Sequence, residues 1–239
     1  MLARRSVYPC RCPLSHSVRS LQNKESVSMP FILYIFIGFI CVIVIIALIW
    51  RVSSGYWSIP CPTWLSWLVE LDNPILKNNS AREIIQHIHL RSGMNVLDFG
   101  CGPGRLTIPV AKQVGSSGTV TAFDIQLEML ERVRAKADQE KVSNIEYAQG
   151  AAGEEKLQKN EYDCVLLVTV LGEIPDKGTA IKEIFESLKL GGILSITETI
   201  ADPHFQTRKK VLEVTSSVGF KELEFFGNPI SYTINLGKP

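Results

Sequence analysis

The segment at residues 96–104 constrains the fold of this chain more than any other. Its sequence is Val-Leu-Asp-Phe-Gly-Cys-Gly-Pro-Gly, in which an apolar run is followed by glycines at alternate positions. Glycine permits a turn so tight that a ligand can lie against bare backbone. A helix predicted to begin near Arg105 directs its unpaired N–H groups and the positive end of its dipole toward the same place, which suits a carboxylate or phosphate. The segment therefore predicts a strand, a tight turn and a helix around a ligand.

A second strand-like run, Thr-Val-Thr-Ala-Phe-Asp, ends at Asp124. An acidic residue at the end of the second strand of a βαβ unit presents its carboxylate to ribose hydroxyls. The glycines are spaced Gly-x-Gly-x-Gly, whereas the dinucleotide fingerprint is Gly-x-Gly-x-x-Gly, and Asp98 stands two positions before the first glycine. The two runs together predict a nucleoside-binding site and disfavour a nicotinamide-linked dehydrogenase.

This combination resembles class I S-adenosylmethionine-dependent methyltransferases. The resemblance implies that Asp98 faces the methionine amino group of S-adenosyl-L-methionine, that the glycine backbone lies under the methionine portion, and that Asp124 binds the ribose. Relatives often have an acidic residue near the adenine amine where this chain has Ala151, which leaves adenine recognition to backbone groups. The expected cofactor-binding residues are Asp98, Gly100, Cys101, Gly102, Gly104, Asp124, Ile125 and Ala151.

Strands and helices alternate through the rest of the chain, which predicts a parallel sheet. The predicted elements are helix 105–114, strand 119–124, helix 126–139, strands 144–149 and 162–168, helix 177–188, strand 192–198, helix 206–217 and a hairpin of strands 221–226 and 231–236. Ser80 and Glu83 form a predicted capping box for an earlier helix. A terminal antiparallel hairpin after parallel strands is similar to the family's architecture. The expected fold is therefore a Rossmann-like α/β methyltransferase sheet over residues 75–239, preceded by one transmembrane helix.

Acidic residues and a histidine follow the fourth and fifth predicted strands, at the sheet edge where ligands bind in open α/β folds. Glu173, Glu198 and His204 are the candidate catalytic residues, and Asp202 lies beside the last two in sequence. They would act as a base or polarise an acceptor hydroxyl or amine. The alternatives are a solvated carboxylate at a helix start for Glu173 and a surface position for His204. The Asn-Pro-Pro-Tyr tetrapeptide typical of relatives that methylate adenine or glutamine amides does not follow the fourth strand, which argues against those acceptors.

Residues 31–50 contain no charged residue, and about 20 apolar residues suffice to cross a bilayer core. We therefore expect four regions: an N-terminal extension at 1–30, a transmembrane helix at 31–50, a juxtamembrane aromatic linker at 51–74 and the methyltransferase domain at 75–239. The span favours an acceptor that partitions into the bilayer, such as a quinone precursor or a lipid headgroup. The expected partners are thus a small-molecule or lipid-like acceptor and a membrane.

Basic residues make the orientation of the span ambiguous. Four arginines precede it within residues 1–28, while Arg51 follows it, so the positive-inside rule places the N-terminus in the cytosol and the domain outside. A translation start at Met29 instead leaves Arg51 in the cytosol, with a single-pass protein whose catalytic domain faces the cytosol. Alternatively, residues 1–28, with six serines and one acidic residue, form a transit peptide to a mitochondrial membrane.

Composition excludes other classes of function. The net charge is +1, so no bulk basic excess favours nucleic acid as a partner. Six cysteines contain no Cys-x-x-Cys pair and no histidine cluster accompanies them, so we expect neither a metal site nor a disulfide framework. Cys101 and Cys164 are expected to be packing residues. Two functions remain: a membrane-anchored methyltransferase, or a non-catalytic S-adenosylmethionine-binding membrane assembly factor.

Overall fold

The computed structural model describes residues 28–54 and 80–239, and it describes the side chains of 31–46, 49 and 80–239. The chain divides into two units, Met1–Ile49 and Trp50–Pro239. Several predictions lie outside the described residues. They are the N-terminal extension before Ser28, the transit peptide proposed there as an alternative, and the aromatic linker from residue 55 onward.

Helix α1 spans Ser28–Ser54 and contains the predicted membrane segment at 31–50. The apolar side chains described along it are exposed. Across the described part of the chain, no helix combines the length and the apolar character needed to cross a membrane.

The second unit is built on a seven-stranded sheet in the order β3-β2-β1-β4-β5-β7-β6. Its elements are α2 (Ala81–His87), β1 (Asn95–Phe99), α3 (Thr107–Val114), β2 (Thr119–Asp124), α4 (Leu127–Glu140), β3 (Ile145–Gln149), β4 (Tyr162–Val168), a 3₁₀ helix (Leu171–Glu173), α5 (Lys177–Ser187), β5 (Leu188–Thr199), α6 (Arg208–Val218), β6 (Lys221–Asn228) and β7 (Ser231–Gly237). Strands β1 to β5 are parallel, β7 is antiparallel to β5, and β6 is antiparallel to β7. The predicted Rossmann-like sheet with a terminal hairpin is therefore confirmed.

Strand β4 shows how both faces of the sheet are covered. Val165 and Leu167 join the core cluster that includes α5 and α6, while Cys164 and Leu166 join the cluster that includes α2, α3 and α4. Successive side chains of a strand point to opposite faces, so a strand buried on both faces must be apolar throughout. The crossover helices thus leave the carboxyl edge of the parallel strands as the accessible place for a ligand.

Most helices and strands begin and end within two residues of the predicted boundaries. The Ser80 hydroxyl accepts from the Glu83 amide at 3.3 Å, which confirms the capping interaction for α2. Helix α3 begins at Thr107 rather than Arg105, because turns occupy the residues after the glycine segment. Strand β5 begins at Leu188 rather than 192, because Leu188 pairs with Tyr162 before a register shift restores regular pairing with β4. The residues of the candidate site lie at the carboxyl ends of β1, β2, β4 and β5.

Candidate functional site

The glycine loop is the connection of residues 100–104 between β1 and the turns before α3. The amides of Gly100 and Cys101 donate to the Phe123 carbonyl oxygen at 2.8 and 3.1 Å. The amide of Gly102 donates to Oδ2 of Asp124 at 2.9 Å. The loop after the first strand is therefore held against the end of the second strand, as a βαβ nucleoside site requires.

Glycine is required at Gly100 for two reasons. Its φ is +73°, and an added Cβ would lie 2.5 Å from Cγ2 of Val170, the residue before the 3₁₀ helix. At Gly102, φ is +52° and no atom lies within 4 Å of the corresponding Cβ position. The loop thus touches protein at Gly100 and borders open space at Gly102, which leaves bare backbone for a ligand.

Asp98 is the last polar side chain of β1 and is buried. The Thr107 hydroxyl in the first turn of α3 donates to its Oδ2 at 2.6 Å. Burial raises the pKa of Asp98 to about 6, and the hydrogen bonds from Thr107 oppose that rise. At neutral pH the carboxylate is ionised and suits a cationic partner, such as an ammonium group.

Asp124 ends β2 with both carboxylate oxygens engaged by backbone amides. In addition to the Gly102 contact, Oδ1 accepts from the Gln126 amide at 2.9 Å. Burial raises the pKa of Asp124, and these amides oppose the rise. Ile125 follows with 53% of its surface exposed, so an apolar side chain projects beside the carboxylate.

Ala151 lies just beyond β3, next to the end of β2. The neighbouring Gly150 amide donates to the Asp124 carbonyl oxygen at 3.1 Å, and the Ala151 amide donates to Oε2 of Glu154 at 3.1 Å. Glu154 also contacts Lys156 at 2.8 Å. The Ala151 amide is therefore engaged by Glu154, and the Ala151 side chain carries no polar atom.

Cys101 is part of the loop but has no features of a nucleophile. It is buried, and burial raises the pKa of its thiol well above the usual value, so the reactive thiolate is disfavoured. Across the described residues, no group of three or more potential ligand side chains is arranged to hold a metal ion. Cys101 contributes packing beneath the loop, as expected.

The predicted acceptor-side residues come together after β4 and β5. Glu173 ends the 3₁₀ helix, and its Oε1 lies 3.8 Å from Nδ1 of His204. Oδ1 of Asp202 lies 3.7 Å from the same nitrogen and accepts from the His204 amide at 2.6 Å. Burial raises the pKa of Glu173 to about 8, with the charges of Asp202 and Asp124 adding to the rise. A Cβ at Gly100 would lie 2.5 Å from Cγ2 of Val170, so the element that carries Glu173 packs directly on the glycine loop.

Glu198 lies in β5 and has an exposed fraction of only 1%. Its Oε2 accepts from the Gln206 amide at 2.9 Å. Within the described part of the chain, its Oε1 has no hydrogen-bond partner, and neither does the buried Nε2 of His204. Burial raises the pKa of Glu198 to about 8. Buried polar atoms normally find partners, so these two atoms are candidates to bind a polar group of a ligand.

Three residues that organise this site were not singled out by the sequence. Gly172 packs so closely against the loop of residues 200–206 that a Cβ there would collide with the His204 carbonyl oxygen. Gln206 binds Glu198, and the Tyr232 hydroxyl on β7 donates to the Gln206 carbonyl oxygen at 2.8 Å. The sequence signal for Gly172 was its position directly before Glu173. No local pattern links Gln206 to Tyr232, since they are far apart in sequence.

The residues present fit S-adenosyl-L-methionine. The glycine loop provides a cradle of bare backbone that a Cβ would partly fill, and the carboxylates of Asp98 and Asp124 flank it. The site's acidic character suits a cofactor with a positively charged sulfonium and ammonium group. The roles assigned to the eight cofactor-site residues and to Glu173, Glu198 and His204 stay predictions.

Two cavities open on this unit, and the larger one borders the acceptor side of the site. One, of about 540 Å³, is an open groove whose lining includes Leu171, Lys177, Gln206 and Lys210. The other, of about 70 Å³, opens at the amino-terminal edge of the sheet near Asn95 and Glu146. The glycine loop lines neither cavity.

Comparisons with known proteins agree with this geometry. A family model described as a methyltransferase domain matches residues 90–219. Demethylmenaquinone methyltransferase of Lactococcus lactis is 37% identical over 123 residues, which cover 52% of this chain and 48% of that protein. The ubiquinone/menaquinone biosynthesis C-methyltransferase UbiE of Methylococcus capsulatus is 33% identical over 144 residues, covering 60% and 56%. The chain spans about half the length of these curated relatives.

The fold is also found in solved structures. A methyltransferase from Aquifex aeolicus, described as S-adenosylmethionine-dependent, aligns with a TM-score of 0.67 and 18% identity, over 75% of this chain and all of that chain. Because the family model covers more than half of the sequence, the chain belongs to the methyltransferase-domain family. Its second unit is a class I S-adenosylmethionine-dependent methyltransferase domain, as the glycine loop and Asp124 predicted.

Proposed function

We propose that this protein transfers a methyl group from S-adenosyl-L-methionine to a quinone-type, lipid-like small molecule. The observation that carries the proposal is the contact between the two sides of the site: Gly100 of the glycine loop packs against Val170, directly before the 3₁₀ helix that ends at Glu173. A donor site and a cluster of proton-binding side chains therefore share one edge of the sheet. The curated relatives named above act, by their names, on demethylmenaquinone or in ubiquinone and menaquinone biosynthesis, which supports a quinone-type acceptor.

The cofactor side of the site has a binding role. When bound, S-adenosyl-L-methionine supplies an activated methyl group, so alignment and exclusion of water provide much of the rate. Asp124 would bind the ribose hydroxyls, Asp98 the ammonium group, and the glycine loop the methionine portion. Ile125 would pack against the adenine, whose edge is left to backbone groups near Ala151. These residues hold the donor while the acceptor-side residues act on the acceptor.

Glu198 and His204 are the residues that would act on the acceptor. A hydroxylated aromatic ring becomes a better carbon nucleophile when its hydroxyl proton is removed. Glu198, whose pKa of about 8 lies near neutral pH, would take that proton through Oε1. Nε2 of His204 would bind the hydroxyl oxygen of the acceptor. The ring carbon would then receive the methyl group that the cofactor supplies in activated form, and the proton displaced from that carbon would pass to solvent water.

We also propose that residues 31–50 anchor the protein in a membrane. Their uncharged sequence and the exposure of the apolar side chains described along α1 support this. At the domain's carboxyl edge, Ile200 and Ile230 are 40% and 48% exposed and are joined by a backbone hydrogen bond of 2.7 Å. The domain would face the cytosol, with a mitochondrial membrane as the alternative location.

The function is tested with the full chain in vesicles that contain a demethylated menaquinol and cofactor labelled in its methyl group. We expect labelled quinol and release of S-adenosylhomocysteine, with the rate reduced at least tenfold in Glu198→Gln. Lys189→Gln, a change at a partly exposed salt bridge near the start of β5, is the matched control and should keep the wild-type rate. Cofactor binding without transfer to quinol or lipid fractions would contradict the proposal and favour the non-catalytic assembly factor.

A further inference from the structure

Gln206 links three parts of the acceptor side through three hydrogen bonds. Its amide donates to Oε2 of Glu198 at 2.9 Å, and its side-chain Nε2 donates to the His204 carbonyl oxygen at 2.6 Å. Its own carbonyl oxygen accepts from the Tyr232 hydroxyl at 2.8 Å. One residue thus joins β5, the loop of residues 200–206 and β7. The next residue, Thr207, caps α6, which fixes the direction in which the chain leaves the site.

Tyr232 is rigidly placed to hold Gln206. It is fully buried, its ring stacks on Phe225 with centroids 5.6 Å apart, and Phe205 contacts it edge-on at 6.2 Å. Burial raises the pKa of Tyr232, so its hydroxyl stays protonated and remains a donor. The hydrogen bond to Gln206 therefore starts from a side chain whose orientation is fixed by packing on β6 and on the loop.

We propose that Gln206, held by Tyr232, is a positioning residue that orients Glu198 toward the acceptor. By occupying Oε2, the Gln206 amide leaves Oε1 as the oxygen available to a ligand. By holding the His204 carbonyl, the Gln206 side chain keeps the imidazole beside the same ligand space. This inference rests on the proposed function, since it assigns a position to a residue of the same acceptor site.

The charged groups around Glu198 come from several elements. Lys177 lies at the start of α5, Glu173 in the 3₁₀ helix and Asp202 in the loop, while the Tyr232 hydroxyl faces it from β7. Burial raises the pKa of Glu198, Asp202 and Glu173 raise it further, and the Gln206 amide and Lys177 lower it. Weakening the Gln206 contact while the other groups stay in place must therefore raise that pKa further.

The test uses Tyr232→Phe and Gln206→Leu in the full chain. Tyr232→Phe keeps the packed ring and removes one hydroxyl, and Gln206→Leu keeps the backbone amide and removes the contact to His204. The ionisation of Glu198 is followed by infrared difference spectroscopy of its carboxyl band, which is identified by its loss in Glu198→Gln. We expect the titration midpoint to rise by about half to one pH unit in Tyr232→Phe, and by less in Gln206→Leu, which keeps the amide that contacts Glu198. The ascending limb of kcat/KM against pH should move in the same direction.

Tyr162→Phe, which removes another buried tyrosine hydroxyl, is the matched control and should leave the midpoint unchanged. A wild-type midpoint in Tyr232→Phe would overturn the positioning role, whatever the rates of methyl transfer. The infrared signal needs no turnover, so it separates the two proposals. A raised midpoint in a protein that transfers no methyl group would support the positioning role and contradict the proposed function.

Discussion

The amide of Gly102 donates a hydrogen bond to Oδ2 of Asp124 at 2.9 Å. The loop that follows β1 and the acidic residue that ends β2 are therefore one structural unit before any ligand binds. A carboxylate held by two backbone amides keeps a fixed direction, since neither amide can rotate independently of the backbone. The ribose contact expected at Asp124 is thus preorganised, and preorganisation reduces the cost of binding.

Replacing Asp124 should weaken cofactor binding. Asp124→Ala removes the acceptor for two backbone amides and the expected ribose contact. Hydrogen bonds to charged groups contribute about 1.5–3 kcal/mol each, so we expect cofactor affinity to fall by at least tenfold. Isothermal titration calorimetry measures the effect. Glu128→Gln, an exposed carboxylate in the adjacent helix α4, should bind with wild-type affinity, and equal losses in both variants would contradict the assignment.

Two glycines of the loop should respond differently to alanine. Gly100→Ala places a Cβ against Val170 at a residue with positive φ, so we expect a loss of about 2 kcal/mol or more in the free energy of unfolding. The double variant Gly100→Ala with Val170→Ala should recover part of that loss. Gly102→Ala meets no neighbouring atom within 4 Å, so its cost to folding should be limited to the roughly 1 kcal/mol of its positive φ, with weaker cofactor binding as the further effect. Urea denaturation measures the free energy of unfolding, and calorimetry measures cofactor affinity. A Gly100→Ala protein as stable as the wild type would contradict the close packing of Gly100 against Val170.

The pH dependence of cofactor binding should shift when Thr107 loses its hydroxyl. The pKa of Asp98 is about 6, and the hydrogen bonds from Thr107 lower it from a higher value. In Thr107→Val the pKa should rise, so binding of a cationic amino group should weaken at pH 6.5 and be largely restored at pH 8. Calorimetric affinities over this range give the midpoint. Thr119→Val at the opposite end of β2 is the control, and an identical pH profile in Thr107→Val would refute the expected role of Asp98.

The cofactor-free domain should lose stability as pH rises from about 4.5 to about 8. Glu173 and Glu198 have pKa values of about 8, raised from 4.5, so the folded state binds more protons than the unfolded state over this range. Stability then falls with increasing pH, and each kcal/mol lost lowers Tm by about 2–4 °C in a domain of this size. Glu198→Gln should flatten the Tm profile. A wild-type Tm that rises between pH 5 and 8 would contradict the burial of these carboxyls.

The donor half of the site was predictable because its signals are local. The apolar run of β1, the alternate glycines and Asp124 lie within one βαβ unit, where sequence spacing fixes spatial position. The predicted strand and helix order was confirmed for the same reason. The start of β5 at Leu188 was missed because pairing with Tyr162 overrides the glycines at 191 and 192, which locally favour a turn.

The acceptor half could be predicted only in part. Glu173, Glu198 and His204 were placed near one another by their position after parallel strands, and the structure brings them together. Their supports, Gln206 and Tyr232, depend on the insertion of β7 between β5 and β6. Such a non-local pairing leaves no periodic pattern in the sequence. The contact between Gln206 and Tyr232 is therefore visible only in the structure.

The insertion of β7 also gives the domain an order of assembly. Strand β6 precedes β7 in sequence but pairs only with β7 in the sheet, so it has no neighbour to join until β7 has been synthesised. During translation, β1, β2 and the glycine loop can associate well before Tyr232 emerges. The strand that holds Gln206 is therefore the last part of the sheet to be synthesised, after every strand of the donor side.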